Sequence, residues 1–168
     1  MKHIVLPESA DRRILQAAEE ITSRGLARIT LLGDPTEIHA SARQLNIDLS
    51  KCTILDYMKS PLKKDFAEVW AEERRAKGAT FDSSLDLMSD MNVFGTMMVK
   101  QGMADGMVSG AMCTTANTIR PALSILKKPQ NTLVSSVFFM CLPDTVLVYG
   151  DCAINVDPSA EQLAQIAA

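Results

Sequence analysis

The 168 residues suit one domain, or one domain with part of a second. Hydrophobic residues at 47% and charged residues at 22% describe an ordinary globular core. A net charge of −3 provides no basic field for nucleic acid or an anionic membrane, so an anionic ligand has to be held by single arginines and helix N-termini.

His3–Leu6 reads as a short buried strand, followed by a helix opening near Ser9. Its apolar stripe is Ile14, Leu15, Ala18 and Ile21, and Gly25 stops it. Arg28–Leu32 is the next strand. Gly33 turns the chain, Asp34 caps a helix, Pro35 takes its first position and Glu37 stands where a capping-box acid would. Thr53–Leu55 is a third strand, and a helix runs through Phe66, Val69 and Trp70 to Gly78. Two further helical stretches lie around Leu85–Met88 and over Met91–Lys100. Met107–Ser109 ends a strand, and a helix carrying Ile119, Leu123 and Leu126 begins near Asn117 or Thr118. Thr132–Met140 and Thr145–Tyr149 are β-rich runs joined by a hairpin-type turn at Leu142-Pro143-Asp144. Asp157-Pro158-Ser159 starts a helix whose stripe opens with Leu163 and Ile166. That stripe stops at Ala168 after barely two turns, and a continuation beyond is expected.

Strands alternating with amphipathic helices predict an α/β fold, a three-layer sandwich with a mainly parallel sheet. The four cysteines, at 52, 113, 141 and 152, make no C-x-x-C pair, and with only His3 and His39 beside them they argue against zinc. No apolar run reaches the ~18 residues of a membrane span. Free thiols without an export pattern point to the cytoplasm.

The chemistry concentrates in Asp105-Gly-Met-Val-Ser-Gly-Ala-Met-Cys-Thr-Thr-Ala-Asn-Thr-Ile-Arg-Pro121. A strand end, a tight turn at Gly110, hydroxyls at Thr114, Thr115 and Thr118, and a helix start make a plausible phosphoryl cradle of free N–H groups. Arg120 adds a positive charge, and Pro121 fits a first turn. The competing reading is a capped, hydroxyl-rich turn with a solvated Arg120. The stretch is neither a Walker loop nor a G-x-G-x-x-G fingerprint. Cys113 lacks an evident activating base and reads as a spectator, and Asp157 reads as a cap.

This stretch resembles the phosphate acetyltransferase family, whose pattern is Asp-Gly-Xaa-Val-Ser-Gly-Ala, a hydroxyl-rich loop and Thr-Xaa-Arg-Pro. Further matches follow in order: Ile4-Val-Leu-Pro-Glu8, Arg24-Gly25, Leu31-Leu-Gly33, Arg74 to Gly78, Ser135-Ser-Val-Phe-Phe139 and Tyr149-Gly-Asp-Cys-Ala-Ile-Asn155. The resemblance implies two α/β domains similar to isocitrate and isopropylmalate dehydrogenases, with a portion of the first over about 1–105 and an incomplete second from about 106. It implies acetyl transfer between phosphate and coenzyme A in a longer parent. Acetyl phosphate, phosphate and coenzyme A or acetyl-CoA are then substrates, with no prosthetic group or metal, in a homodimer.

Ser109, Thr114, Thr115 and Arg120 match the substrate side of the family's cleft, and Arg74 matches an arginine for coenzyme A. Arg75 takes that role if the register shifts by one, and Glu72-Glu-Arg-Arg75 also reads as a solvated helix face. The family's general base is an aspartate after a Ser-Arg-Gly run, which the 168 residues lack. The base is therefore expected beyond Ala168, and the polypeptide by itself is expected to be inactive. A phosphate butyryltransferase and a non-catalytic acyl-CoA-sensing domain are the alternatives.

Overall fold

The computed structural model describes residues 1–126, 133–152 and 154–167. It divides into two compact units, Met1–Leu126 and Lys127–Ala168. The first holds a four-stranded, wholly parallel sheet of β1 (His3–Leu6), β2 (Arg28–Leu32), β3 (Thr53–Leu55) and β4 (Gly106–Met107), in the order β3-β2-β1-β4. Two helices connect the first three strands: α1 (Arg12–Ser23) and α2 (Pro35–Leu45). Between β3 and β4 come α3 (Leu62–Glu73), a 3-10 turn at Arg75–Lys77, α4 (Phe81–Leu87) and α5 (Met91–Lys100). Helix α6 (Thr115–Ile125) follows β4.

Alternation along the strands makes the layers, because successive side chains leave a strand on opposite faces. Val5 and Leu32 pack with Phe66, Phe94 and Met97 of α3 and α5. Leu6, Ile29 and Leu31 pack on the other face with Leu15, Ala18, Ile38 and Ala42 of α1 and α2. Both faces of the sheet are thus covered, as a parallel sheet requires. Helix α5 is buried from Asn92 to Met98, and Phe94 lies 5.0 Å from Phe66 and 5.7 Å from Tyr57 between ring centroids.

Several boundaries move for local reasons. Helix α1 starts at Arg12 and not near Ser9, because the Asp11 carboxylate accepts from the Arg13 amide at 2.8 Å, while Ser9 donates to the Leu32 carbonyl at 2.5 Å. The helix expected to reach Gly78 ends at Glu73 and tightens to a 3-10 turn before Gly78. The strand expected over Met107–Ser109 is Gly106–Met107. Within the first unit β4 pairs with β1 and α6 packs on α5.

In the second unit β5 (Val137–Cys141) and β6 (Val146–Gly150) form an antiparallel hairpin, closed by the Leu142 amide donating to Thr145 at 2.9 Å. The strand expected from Thr132 begins at Val137; Thr132 itself lies outside the described residues. The Asp151 carboxylate receives the Ser136 hydroxyl at 2.6 Å and the Asn155 amide at 2.8 Å. Helix α7 (Ala160–Ala167) is capped by Ser159, which exchanges hydrogen bonds with Gln162, so Asp157 is not the cap.

Gly33 shows how tightly the β1 and β2 ends are fitted. Its φ is +151°, and a Cβ there would meet the Ser9 hydroxyl at 2.7 Å and Ile38 Cδ1 at 3.2 Å. Gly33→Ala is expected to cost roughly 1–3 kcal/mol through strain and overpacking. Urea unfolding checks this: an unchanged midpoint would show that the turn tolerates a side chain.

Candidate functional site

With β1 central, the chain steps to β2 and β3 on one side and returns to β4 on the other. The crevice between β1 and β4, beyond their carboxyl ends, is where such a sheet is expected to receive a ligand. Two segments meet there: Pro7-Glu8 after β1, and the loop 108–114 after β4.

Glu8 organises the crevice. It is 1% exposed, and its carboxylate accepts four consecutive backbone N–H groups. Gly110 and Ala111 donate to Oε2, and Met112 and Cys113 donate to Oε1, each at 2.7 Å. Gly110, with φ +113°, supplies the backbone turn that begins this ring. Burial raises the Glu8 pKa, but the four donors outweigh it and hold the carboxyl at about 2 instead of 4.5. Arg13 grips the same loop, donating to the Ala111 carbonyl at 2.7 Å while chelating Asp11. Buried Asn92, at the start of α5, takes the Ser109 hydroxyl at 2.6 Å and donates to Cys113 Sγ at 3.4 Å.

Beyond the clamped loop, α6 begins at Thr114, whose hydroxyl accepts the Asn117 amide at 3.3 Å. The helix therefore starts earlier than the expected Asn117 or Thr118. Pro121 and Arg120 consequently lie in its second turn, not its first. Thr115 is exposed, and the amides of Thr114, Thr115 and Ala116 have no acceptor among the described residues. The Arg120 side chain is exposed and makes neither an ion pair nor a hydrogen bond among the described residues. It borders a cleft of about 450 Å³ together with Asp90, Val93, Asn117 and Ser124. Arg74 approaches the same helix from α3: its guanidinium lies 4.6 Å from the Trp70 ring centroid and donates to the Ser124 carbonyl, one turn past Arg120. Arg75 points elsewhere and pairs with Glu72 at 2.6 Å.

The structure thus separates the expected site residues by availability. Thr114, Thr115 and Arg120 share one helix and its start. Ser109 is committed to Asn92, and Arg74 is held by Trp70 and Ser124. The amides of 110–113 are not part of a free cradle, since Glu8 takes all four, which leaves the helix start at Thr114–Ala116 as the stretch with open N–H groups. Burial and the adjacent Glu8 push the Cys113 thiol up, so it is held protonated. Among the described residues no group of three or more His, Cys, Asp or Glu gathers for a metal, and no helix is long and apolar enough to cross a membrane.

A cavity of about 430 Å³ opens beside this crevice, over the ends of β1, β2 and β3. Lys59 is among its lining residues and bridges Asp34 at 3.1 Å and Asp56 at 2.9 Å. Sequence reading assigned neither this triad nor Glu8 a role. The one local signal for Glu8 is an acid two residues past an apolar strand, which marks the position without naming its partners.

The sequence model of the family described as phosphate acetyl/butaryl transferase matches residues 1–168. The chain belongs to that family. It is similar to the phosphate acetyltransferase of Synechocystis sp., 50% identical over 169 residues, covering 99% of this chain and 24% of that protein. The phosphate acetyltransferase of Corynebacterium glutamicum is 46% identical over 166 residues, covering 98% of this chain and 50% of that one. Among solved structures, the EutD phosphotransacetylase from Staphylococcus aureus superposes with a TM-score of 0.88 at 40% identity, covering 99% of this chain and 50% of that chain. A phosphotransacetylase from Streptococcus pyogenes gives 0.89 at 39% identity, covering 99% and 51%. The chain therefore spans about a quarter to a half of the length of these transferase-family relatives. In fold it agrees with the expected α/β class and its parallel sheet.

Glu8 gives the site a pH signature. Its folded pKa is depressed, so its stabilisation is fully present above the unfolded value of 4.5 and is lost as pH falls toward about 2. That contribution is about 3 kcal/mol. Wild type and Glu8→Gln, unfolded by urea across this range, are expected to differ most near neutrality and to converge below pH 3. A gap of constant size would show that Glu8 is not ionised in the fold.

Proposed function

We propose that the chain forms the phosphoryl-binding wall of a site that moves acetyl between phosphate and coenzyme A. The observation that carries this reading is the start of α6. There a buried clamp, an uncapped set of amides, the exposed Thr115 hydroxyl and the unpaired Arg120 follow one another on an otherwise acidic protein. Family membership and the printed names of the relatives support acetyl as the transferred group.

In this proposal Arg120 and the amides of Thr114–Ala116 hold the phosphoryl oxygens of acetyl phosphate. Arginine suits the task because its planar fork matches two oxygens at once. Thr114 shapes the helix start, and Thr115 offers a hydroxyl. Ser109 acts indirectly, by anchoring the loop to Asn92. Arg74 is assigned to the coenzyme A side; stacking on Trp70 holds its charge near α6. A base outside these 168 residues takes the proton from the coenzyme A thiol. The thiolate sulfur bonds to the acetyl carbon, and the carbon–oxygen bond to phosphate breaks. We assign the parent to the cytoplasm and to a homodimer, with a first domain that continues through α6.

Two measurements test this reading. Isothermal titration with acetyl phosphate is expected to show binding by the 168-residue chain, weakened about ten- to a hundredfold in Arg120→Lys, the worth of one charge-assisted contact. Wild-type affinity in both Arg120→Lys and Arg120→Gln would return Arg120 to a solvated surface role. Mixed with acetyl phosphate and coenzyme A, the chain alone is expected to form no thioester, and turnover at the rate of a complete enzyme would refute the external base.

A further inference from the structure

We infer that Glu8 is a positioning residue: by filling the ring of amides between β1 and β4 it fixes where the Thr114–Arg120 stretch begins and reserves that stretch for the phosphoryl group. The inference rests on the reading of Thr114–Arg120 as phosphoryl-binding, given above.

Four successive N–H groups turned toward one point form an anion receptor in their own right. Left empty, the ring over 110–113 would compete for phosphate at the place where the sheet topology favours a ligand. Glu8 occupies it from a position 102 to 105 residues earlier in the chain. An anion arriving at the crevice then meets a fixed negative charge and is turned toward the next amides and Arg120. The same four bonds define the loop's curvature up to Cys113, and the residue after it is the α6 cap. Arg13 and Asn92 each fasten the loop at one or two atoms, whereas Glu8 fastens four in succession.

The chemistry is specific to a carboxylate. Glutamine has the same shape but one acceptor oxygen, and its amide nitrogen would face two N–H donors. Aspartate is one methylene too short to reach from the same backbone position. The charged and titratable groups facing Glu8 are Arg13 of α1 and the Cys113 thiol. Asp34, Glu37, Asp56 and Lys59 line the cavity it shares.

The test compares wild type with Glu8→Gln by amide hydrogen exchange and by NMR titration with acetyl phosphate, both at neutral pH. Exchange at Gly110–Cys113 is expected to accelerate tenfold or more, while core amides of β1 and β2 change far less. The dissociation constant of acetyl phosphate at Thr114–Ala116 is expected to rise about tenfold. Uniform acceleration across the fold, or unchanged exchange at the four amides, would overturn the positioning role. So would a loosened loop with unchanged affinity. Failure of wild type to bind acetyl phosphate at α6 would instead defeat the phosphoryl reading, and exchange would still judge the clamp. If Glu8→Gln does not fold, wild type answers directly. On acidification the four amide protons and the Glu8 carboxyl carbon are expected to shift together well below pH 4.5, and separate transitions would overturn the inference.

Discussion

The Glu8 carboxylate is buried without a cation in hydrogen-bonding contact, and an ion in that situation survives only if its surroundings supply dipoles aimed at it. Here the loop after β4 supplies four. The dependence runs both ways. The acid needs the loop to stay charged, and the loop, which has no strand or helix ladder of its own, needs the acid to have a shape. Everything downstream inherits that shape: the Thr114 cap, the direction of α6, and the place at which Arg120 meets the cleft beside Asp90.

The arginines show what a chain of this charge does with its few cations. Three of the eight are paired close to home: Arg13 with Asp11, Arg24 with Glu20, Arg75 with Glu72. Arg74 is held by a ring and a carbonyl, neither of which cancels its charge. Arg120 has no partner among the described residues. Two guanidiniums without a carboxylate partner among the described residues, Arg74 and Arg120, thus lie on or against one helix, a local concentration of positive charge on a chain whose net charge is −3.

How much of this was legible depended on the range of the interaction. Strand limits at Arg28–Leu32 and Thr53–Leu55, and the Asp34-Pro35 helix start, follow from neighbours within a few residues and were readable. The start of α6 was misplaced because Pro121 invited a first-turn reading, while the deciding bond is Thr114 to Asn117. The family motifs brought Arg120 and Thr115 to attention, but not the fate of the amides between Gly110 and Cys113. Those are settled by a side chain more than 100 residues away in sequence, and local patterns carry no trace of such a partner. The acceptor of Ser109, Asn92 on another element, was beyond local patterns for the same reason.

The order of strands has a consequence for synthesis. β1 leaves the ribosome well before β4, yet it pairs with β4 on one side, about a hundred residues later. At roughly 5–20 residues per second the nascent chain waits several seconds, to about twenty, before β4 and its loop emerge. Throughout that interval β1 has an open edge and Glu8 has none of its four donors, so water must remain in the crevice. β1 is thus completed late, and the crevice beside it is closed only when β4 and its loop have been made.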